Sequence, residues 1–262
     1  MPYTTFDRNS ADSWDGLYFG VNGGGGIASD TVNQSATYST TTFPVSTLLS
    51  TQSRYSLTGG EFGGQLGYNL QRSSWLVGAE GDVEWASLSS SSNNYCSPSA
   101  SLPFYELSAN AFGYCLNNKS KIKNLGTIRG RIGFISNKTL WYATAGGAWS
   151  GVKSTFTSPS EPITPGLVSD ARQQGLFLAN SSSFSSTRSA WTVGGGVEAK
   201  LRGHFSAKAE YLYIKYGRIN NTFPLTVNPA YDINYTAGSS ALVNTWSSMI
   251  GNIIRVGINY KV

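Results

Sequence analysis

Charge is scarce in this chain. Asp, Glu, Lys and Arg make up 13% of its 262 residues, against about 25% in ordinary soluble domains. A surface so poor in charge does not suit a chain bathed in water on every side. Histidine occurs once, at His204, and cysteine twice, at Cys96 and Cys115. With no further Cys or His beside them, these residues make no zinc site, and no metal is expected. No apolar run approaches the ~18 residues of a membrane-spanning helix, and helical periodicity is hard to find anywhere. The opening MPYTTFDRNSADSW lacks a basic stretch followed by an apolar one, so no signal peptide is visible. The chain then reads either as cytosolic or as a mature exported chain whose signal has been removed or replaced by Met1. A net charge of +5 comes from 19 dispersed basic residues, without the dense runs or motifs that would mark a nucleic-acid partner.

Alternation is what the chain has in abundance. In Met249 to Val262, Ile250, Ile254, Val256, Ile258, Tyr260 and Val262 share one parity, and Arg255, Gly257, Asn259 and Lys261 share the other. This period of two marks a strand with two unlike faces. The same pattern begins at Trp14 and recurs over 54–71, 75–88, 121–135, 139–153, 188–202 and 205–216. Between these eight strands, short turns at 72–74, 136–138 and 203–204 alternate strictly with long Ser/Thr/Asn-rich segments at 29–53, 89–120, 154–187 and 217–248. An even number of strands with short turns at one end and long loops at the other predicts an all-β, antiparallel up-and-down barrel. Residues 1–13 read as a polar leader and 14–262 as one barrel domain.

Alternation does not by itself say which face is inside. A soluble lipocalin-like, ligand-binding barrel would turn the apolar face inward, whereas a transmembrane barrel would turn it outward. The polar face favours the second arrangement. It is rich in glycine and carries opposed charges: Glu61, Glu80, Asp82, Glu84, Glu198 and Glu210 against Arg129, Arg131, Lys200, Lys208 and Arg255. An eight-stranded barrel is just wide enough for side chains to fill, so these groups are expected to pair in the lumen rather than line a wide pore. A narrow porin-like conduit for ions or small solutes is the alternative. On the apolar face, Trp75 and Trp85, and Trp141 and Trp149, bracket two strands. At about 3.3 Å per residue and a tilt of ~40°, these spacings span roughly 20–25 Å, the separation of two interfacial aromatic girdles. Tyr260 is expected at the inner girdle.

The residues also carry a resemblance. Trp14-Asp15-Gly16-Leu17-Tyr18-Phe19-Gly20 resembles the aromatic–Gly opening of the alphaproteobacterial porin-like outer-membrane surface-antigen family. Ala209-Glu210-Tyr211-Leu212-Tyr213 and Arg255-Val256-Gly257-Ile258-Asn259-Tyr260-Lys261 are similar to its seventh and eighth strands. The resemblance implies an eight-stranded barrel of the OmpA-like transmembrane class, exported to the outer membrane of a Gram-negative bacterium and inserted by the barrel-assembly machinery. Members are described as surface antigens, small porins and haem binders, so the resemblance fixes no single activity. They commonly end in Phe, and Val262 departs from that pattern, with Tyr260 on the same face.

No catalytic group emerges. Gly194-Gly195-Gly196-Val197-Glu198-Ala199 matches a dinucleotide fingerprint, but alternation continues through Leu201 where the fingerprint needs a helix. His204 lies in a turn without a nucleophile beside it, so no enzyme and no cofactor are expected. Cys96 and Cys115 share one polar segment and are disulfide candidates in an oxidising compartment. Arg54, Lys119, Lys121, Lys123, Lys153, Arg188, Lys215 and Arg218 all fall where strands meet long segments. They form a candidate collar for outer-membrane lipid, specifically lipopolysaccharide phosphates. Lys119, Lys121 and Lys123 share the parity of Arg129, however, which would turn them inward. The long outward segments are expected to serve recognition, a homo-oligomer or a lateral lattice.

Overall fold

The computed structural model describes residues 13–39, 46–90, 95–97, 114–158, 180–225 and 240–262. The expected leader lies outside them except for Ser13. Among the described residues ten strands form: β1 (Gly16–Ser39), β2 (Ser46–Arg72), β3 (Trp75–Ser89), β4 (Tyr95–Ser97), β5 (Tyr114–Ser136), β6 (Thr139–Ser158), β7 (Asn180–Lys200), β8 (Phe205–Tyr216), β9 (Ile219–Leu225) and β10 (Ser240–Lys261). Eight of them make the ring β1-β2-β3-β5-β6-β7-β8-β10, and β10 pairs back onto β1. Closure runs from Tyr18 opposite Lys261 to Ser39 opposite Ser240. It reaches the last residue, where the Val262 amide donates to the Leu17 carbonyl at 2.9 Å. A ring leaves no open edge at membrane depth, where unpaired backbone groups would have no water to bond.

The short turns gather at one end. Ser73 and Asn137 sit at φ 56° and 54°, and Gly203 at 65°. Two-residue hairpin turns demand this left-handed region because it matches the twist of the flanking strands. At the other end the strands are longer than alternation indicates. The segments 29–53, 89–120, 154–187 and 217–248 are not simply loops: β1, β2, β5, β6, β7 and β10 run far into them, and β4 and β9 lie within them. The reason is physical. Beyond the membrane the outer face of a strand meets water, and the buried inward face is mostly polar, as at Asp30, Gln34, Ser120 and Thr245, so the apolar alternation stops. Thr-rich and Ser-rich stretches can still keep the ladder, because hydrogen-bonded pairing needs no apolar face.

Two strands stop short. β3 ends at Ser89 and β8 at Tyr216, while their neighbours continue outward. There the described wall divides into two ribbons, β9-β10-β1-β2 and β4-β5-β6-β7. A β-bulge between Ile122 and Asn124 shifts the register of β5 against β6. It reverses the parity of everything outward of it. Lys119, Lys121 and Lys123 therefore face away from the lumen and are exposed, contrary to the parity expectation.

Candidate functional site

The lumen is the most structured polar region, and it is built strand by strand. Inward positions of β3 supply Glu80, Asp82 and Glu84; β5 supplies Arg129 and Arg131; β8 supplies Lys208 and Glu210; β10 supplies Arg255. Each is at most 4% exposed. Arg129 reaches three carboxylates, donating to Glu80 at 2.6 Å, Asp82 at 2.8 Å and Glu210 at 3.0 Å. Arg255 donates to Glu210 through Nε at 2.7 Å and to Asp82 at 3.1 Å, and pairs with Glu84. Lys208 donates to Glu80 at 3.2 Å. Arg131 donates to Glu198 at 2.9 Å and to the Tyr18 hydroxyl at 2.8 Å, and that hydroxyl donates onward to Glu80 at 2.7 Å. The Arg131 guanidinium also lies over the Tyr142 ring, 4.5 Å from its centroid. A buried charge is costly unless paired and hydrogen-bonded, and here each of these cations meets at least one carboxylate. Glu61 is buried at the outer edge of this group but makes no ion pair among the described residues, so the pairing expected of it fails: the nearby cations are taken up by Glu80, Asp82, Glu84 and Glu210. Glycine makes the room: a side chain at Gly24 would collide with Arg255, and one at Gly67 with the Tyr18 ring.

Above the ionic layer lies an apolar one. Leu57, Leu88, Ile122, Leu125, Val152, Leu212, Ile214, Met249 and Ile253 all point inward and pack together. This layer was not expected from the polar-inside reading. Its sequence signal is the adjacent apolar pair Ile253-Ile254, which no single-faced strand would need. Further out the lumen turns polar again. Ser247 donates to Asp30 at 2.7 Å, Tyr55 donates to Asp30 at 3.1 Å, and Arg188 donates to Ser247 at 2.9 Å. At the inner mouth, Ser13 to Asp15 tuck beneath the barrel and are buried. The Ser13 carbonyl accepts from Lys200 at 2.8 Å and from Lys261 at 3.0 Å, and Lys200 lies over the Trp14 ring. Lys200 is therefore half-buried at the mouth rather than in the central group. Arg188 is likewise inside the barrel and not part of an outer collar.

The exterior is apolar around the whole ring. Phe19, Val21, Phe62, Leu66, Val77, Val83, Ile128, Ile132, Val193, Ile254, Val256 and Ile258 are all exposed. A continuous belt of this kind far exceeds the isolated apolar patches that water tolerates, and it rules against the soluble lipocalin-like barrel. Trp75, Trp85, Trp141 and Trp149 face outward on it. Tyr260 packs among Phe19, Phe205 and His204, with centroid distances of 5.5, 5.1 and 5.7 Å. Trp191 and Trp246 are further exposed aromatics that the strand spacing alone did not single out. Every Asp and Glu whose burial is described lies inside the barrel or at its inner mouth. By contrast Arg54, Lys119, Lys121, Lys123, Lys153, Lys215 and Arg218 are exposed. The β4–β5 ladder sets Cys96 opposite Cys115.

An eight-stranded ring with an apolar exterior, aromatic borders and a charged, filled interior defines a transmembrane barrel of the outer membrane of Gram-negative bacteria. The chain belongs to the outer membrane protein beta-barrel domain family, whose model matches residues 8–261. It is 29% identical over 206 residues to the 31 kDa outer-membrane immunogenic protein of Brucella melitensis, covering 78% of this chain and 67% of that protein. To the 25 kDa outer-membrane immunogenic protein of Brucella abortus it is 28% identical over 225 residues, covering 83% of this chain and 85% of that protein. Among solved structures, the attachment invasion locus protein Ail of Yersinia pestis superposes with TM-score 0.33 at 13% identity, covering 92% of this chain and 99% of that one. The outer membrane protease OmpT of Escherichia coli superposes with TM-score 0.47 at 10% identity, covering 97% and 100%.

Proposed function

We propose that this protein is a closed post in the outer membrane that presents its outward strand extensions at the cell surface and does not conduct. One observation carries the reading. From the inner mouth outward, the lumen is occupied in turn by the Ser13–Asp15 segment, the ionic layer, the apolar layer and the Asp30–Arg188 layer. Water and ions need a continuous polar path, and the apolar layer interrupts it. The extensions of β1, β2, β5, β6, β7 and β10 beyond the belt supply the presented surface. The names of the Brucella relatives, outer-membrane immunogenic proteins, support surface exposure. Recognition by these extensions or lateral assembly through them is the work left to the molecule.

The proposal includes no catalysis. His204 donates through Nδ1 to the Lys261 carbonyl at 3.1 Å and stacks on Tyr260, so the ring has a structural occupation at the turn. Planar-bilayer recording of the purified, folded barrel tests the reading. The expected record is flat at all voltages below membrane rupture. Stable steps of one reproducible size would overturn it in favour of a small porin-like channel.

A further inference from the structure

We propose that Lys119, Lys121, Lys123 and Lys153 form a binding site on the outer wall for the phosphate groups of an outer-leaflet glycolipid. This site is independent of whether the lumen conducts. It replaces a diffuse collar with one patch on two adjacent strands, β5 and β6.

Three features place the four ammonium groups together. Lys121 and Lys153 are direct cross-strand partners, and both face outward. Their Cβ atoms are then about 5 Å apart. Lys119 precedes Lys121 by two residues on the same face of β5. Lys123 has no partner in the β5–β6 register: it is the extra residue of the bulge between Ile122 and Asn124. Bulges re-aim side chains, and this one turns the three β5 lysines to the face that Lys153 already occupies on β6. Asn124 fixes it, its side-chain Oδ1 accepting from the Gly151 amide at 2.6 Å.

The patch has no internal counter-charge. Opposite Lys119 stands Thr155, and opposite Lys153 on β7 stands Ser185; Lys121 faces Ser89 on β3. Among the described residues, none of the four lysines makes an ion pair, and no described carboxylate lies on the exterior. Like charges placed directly opposite on a sheet repel. A doubly charged anion between Lys121 and Lys153 removes that repulsion, and the neighbouring hydroxyls supply further donors to phosphate oxygens.

Position selects the source of the phosphate. Trp85 on β3 is opposite Asn124, and Trp149 on β6 is opposite Gly126. These exposed tryptophans mark the outer border of the apolar belt. Lys153 lies four residues beyond Trp149 on the same face, about 10 Å further along the membrane normal at the tilt of such strands. That is headgroup depth, and the lysines point sideways into the leaflet. Arg54, Lys215 and Arg218 are exposed too, but none has a second cation as its cross-strand partner.

The test uses the full chain folded in detergent and three probes: bis-phosphorylated lipid A, dephosphorylated lipid A and inorganic pyrophosphate, each followed by native mass spectrometry. Bis-phosphorylated lipid A is expected to stay bound, dephosphorylated lipid A to be lost, and retention to fall as salt screens the site. The double variant K121E/K153E should weaken binding by at least about tenfold, while R54E/R218E leaves it near the parent value. Heat-modifiable gel mobility confirms that each variant is folded. Should K121E/K153E misfold, K121Q/K153Q gives the same comparison with less perturbation. Equal retention of both lipid A forms would overturn the proposal, as would unchanged binding by the folded variant. Pyrophosphate binding as tight as lipid A would overturn the assignment to a membrane headgroup.

Discussion

Arg255 of β10 and Glu210 of β8 are direct cross-strand partners, and Arg255 Nε donates to Glu210 at 2.7 Å. The same guanidinium also reaches Asp82 and Glu84 on the far wall. One arginine on the closing strand thus ties its neighbour to the opposite side of the ring. Removing it by Arg255→Met leaves three buried carboxylates short of a cation. The expected loss is about 3–5 kcal/mol of stability, read as a lowered urea midpoint in detergent or lipid. Arg255→Lys keeps the charge but not the fork of donors, and should fall between the two.

Tyr18 links the arginine and carboxylate groups through one hydroxyl. Tyr18→Phe keeps the ring over Gly67 and removes only that link, with an expected loss of about 1–3 kcal/mol. Gly67→Val fills the space the ring occupies and should be the more damaging of the two. Unfolding followed by tryptophan fluorescence ranks them; an order reversed from this one would show that the ring position matters less than the hydroxyl.

The apolar layer both stabilises the barrel and interrupts the polar path, and many residues share the second task. Leu212 is fully buried in it, and Leu212→Ala should reduce stability by about 2–5 kcal/mol through the cavity it leaves. No conductance should accompany that loss, because Leu57, Leu88, Ile122, Leu125, Ile214, Met249 and Ile253 still interrupt the polar path. Parallel unfolding and bilayer measurements on the same preparation separate the two effects.

Cys96 and Cys115 are register partners in a short antiparallel ladder, where Cα separations of about 4.5–5.5 Å lie within disulfide range. A disulfide between them is expected after export. Peptide mapping without reductant should recover the two cysteines in one cross-linked fragment. The β4–β5 pair stands beyond the ionic lumen, so Cys115→Ser should leave the unfolding midpoint of the barrel nearly unchanged.

The number and order of the ring strands and their lipid-facing side were legible because each rests on a local repeat, whereas β4 and β9 were not. Trp75, Val77 and Val83 against Glu80, Asp82 and Glu84 announce two unlike solvents within one strand. The closing role of Met249 to Val262 followed from counting the strands before it. The outward reach of β1 and β2 was not legible, because a wet outer face and a largely polar inward face, as at Asp30 and Gln34, carry no apolar alternation. The apolar lumen layer was hidden for a related reason: inward Leu212, Met249 and Ile253 look locally like lipid-facing residues.

The sequence by itself determined that the chain alternates, where it turns, and that charge of both signs shares the face opposite the apolar one. Periodicity and composition are properties of neighbours along the chain, and they survive without a fold. Tertiary structure decided who meets whom. The partners of Arg129 come from β3 and β8, two strands whose separation in sequence says nothing of their distance across a closed ring. It also decided the facing of Lys119, Lys121 and Lys123. A single bulged residue reverses parity, and only the pairing of β5 with β6 reveals where that residue falls.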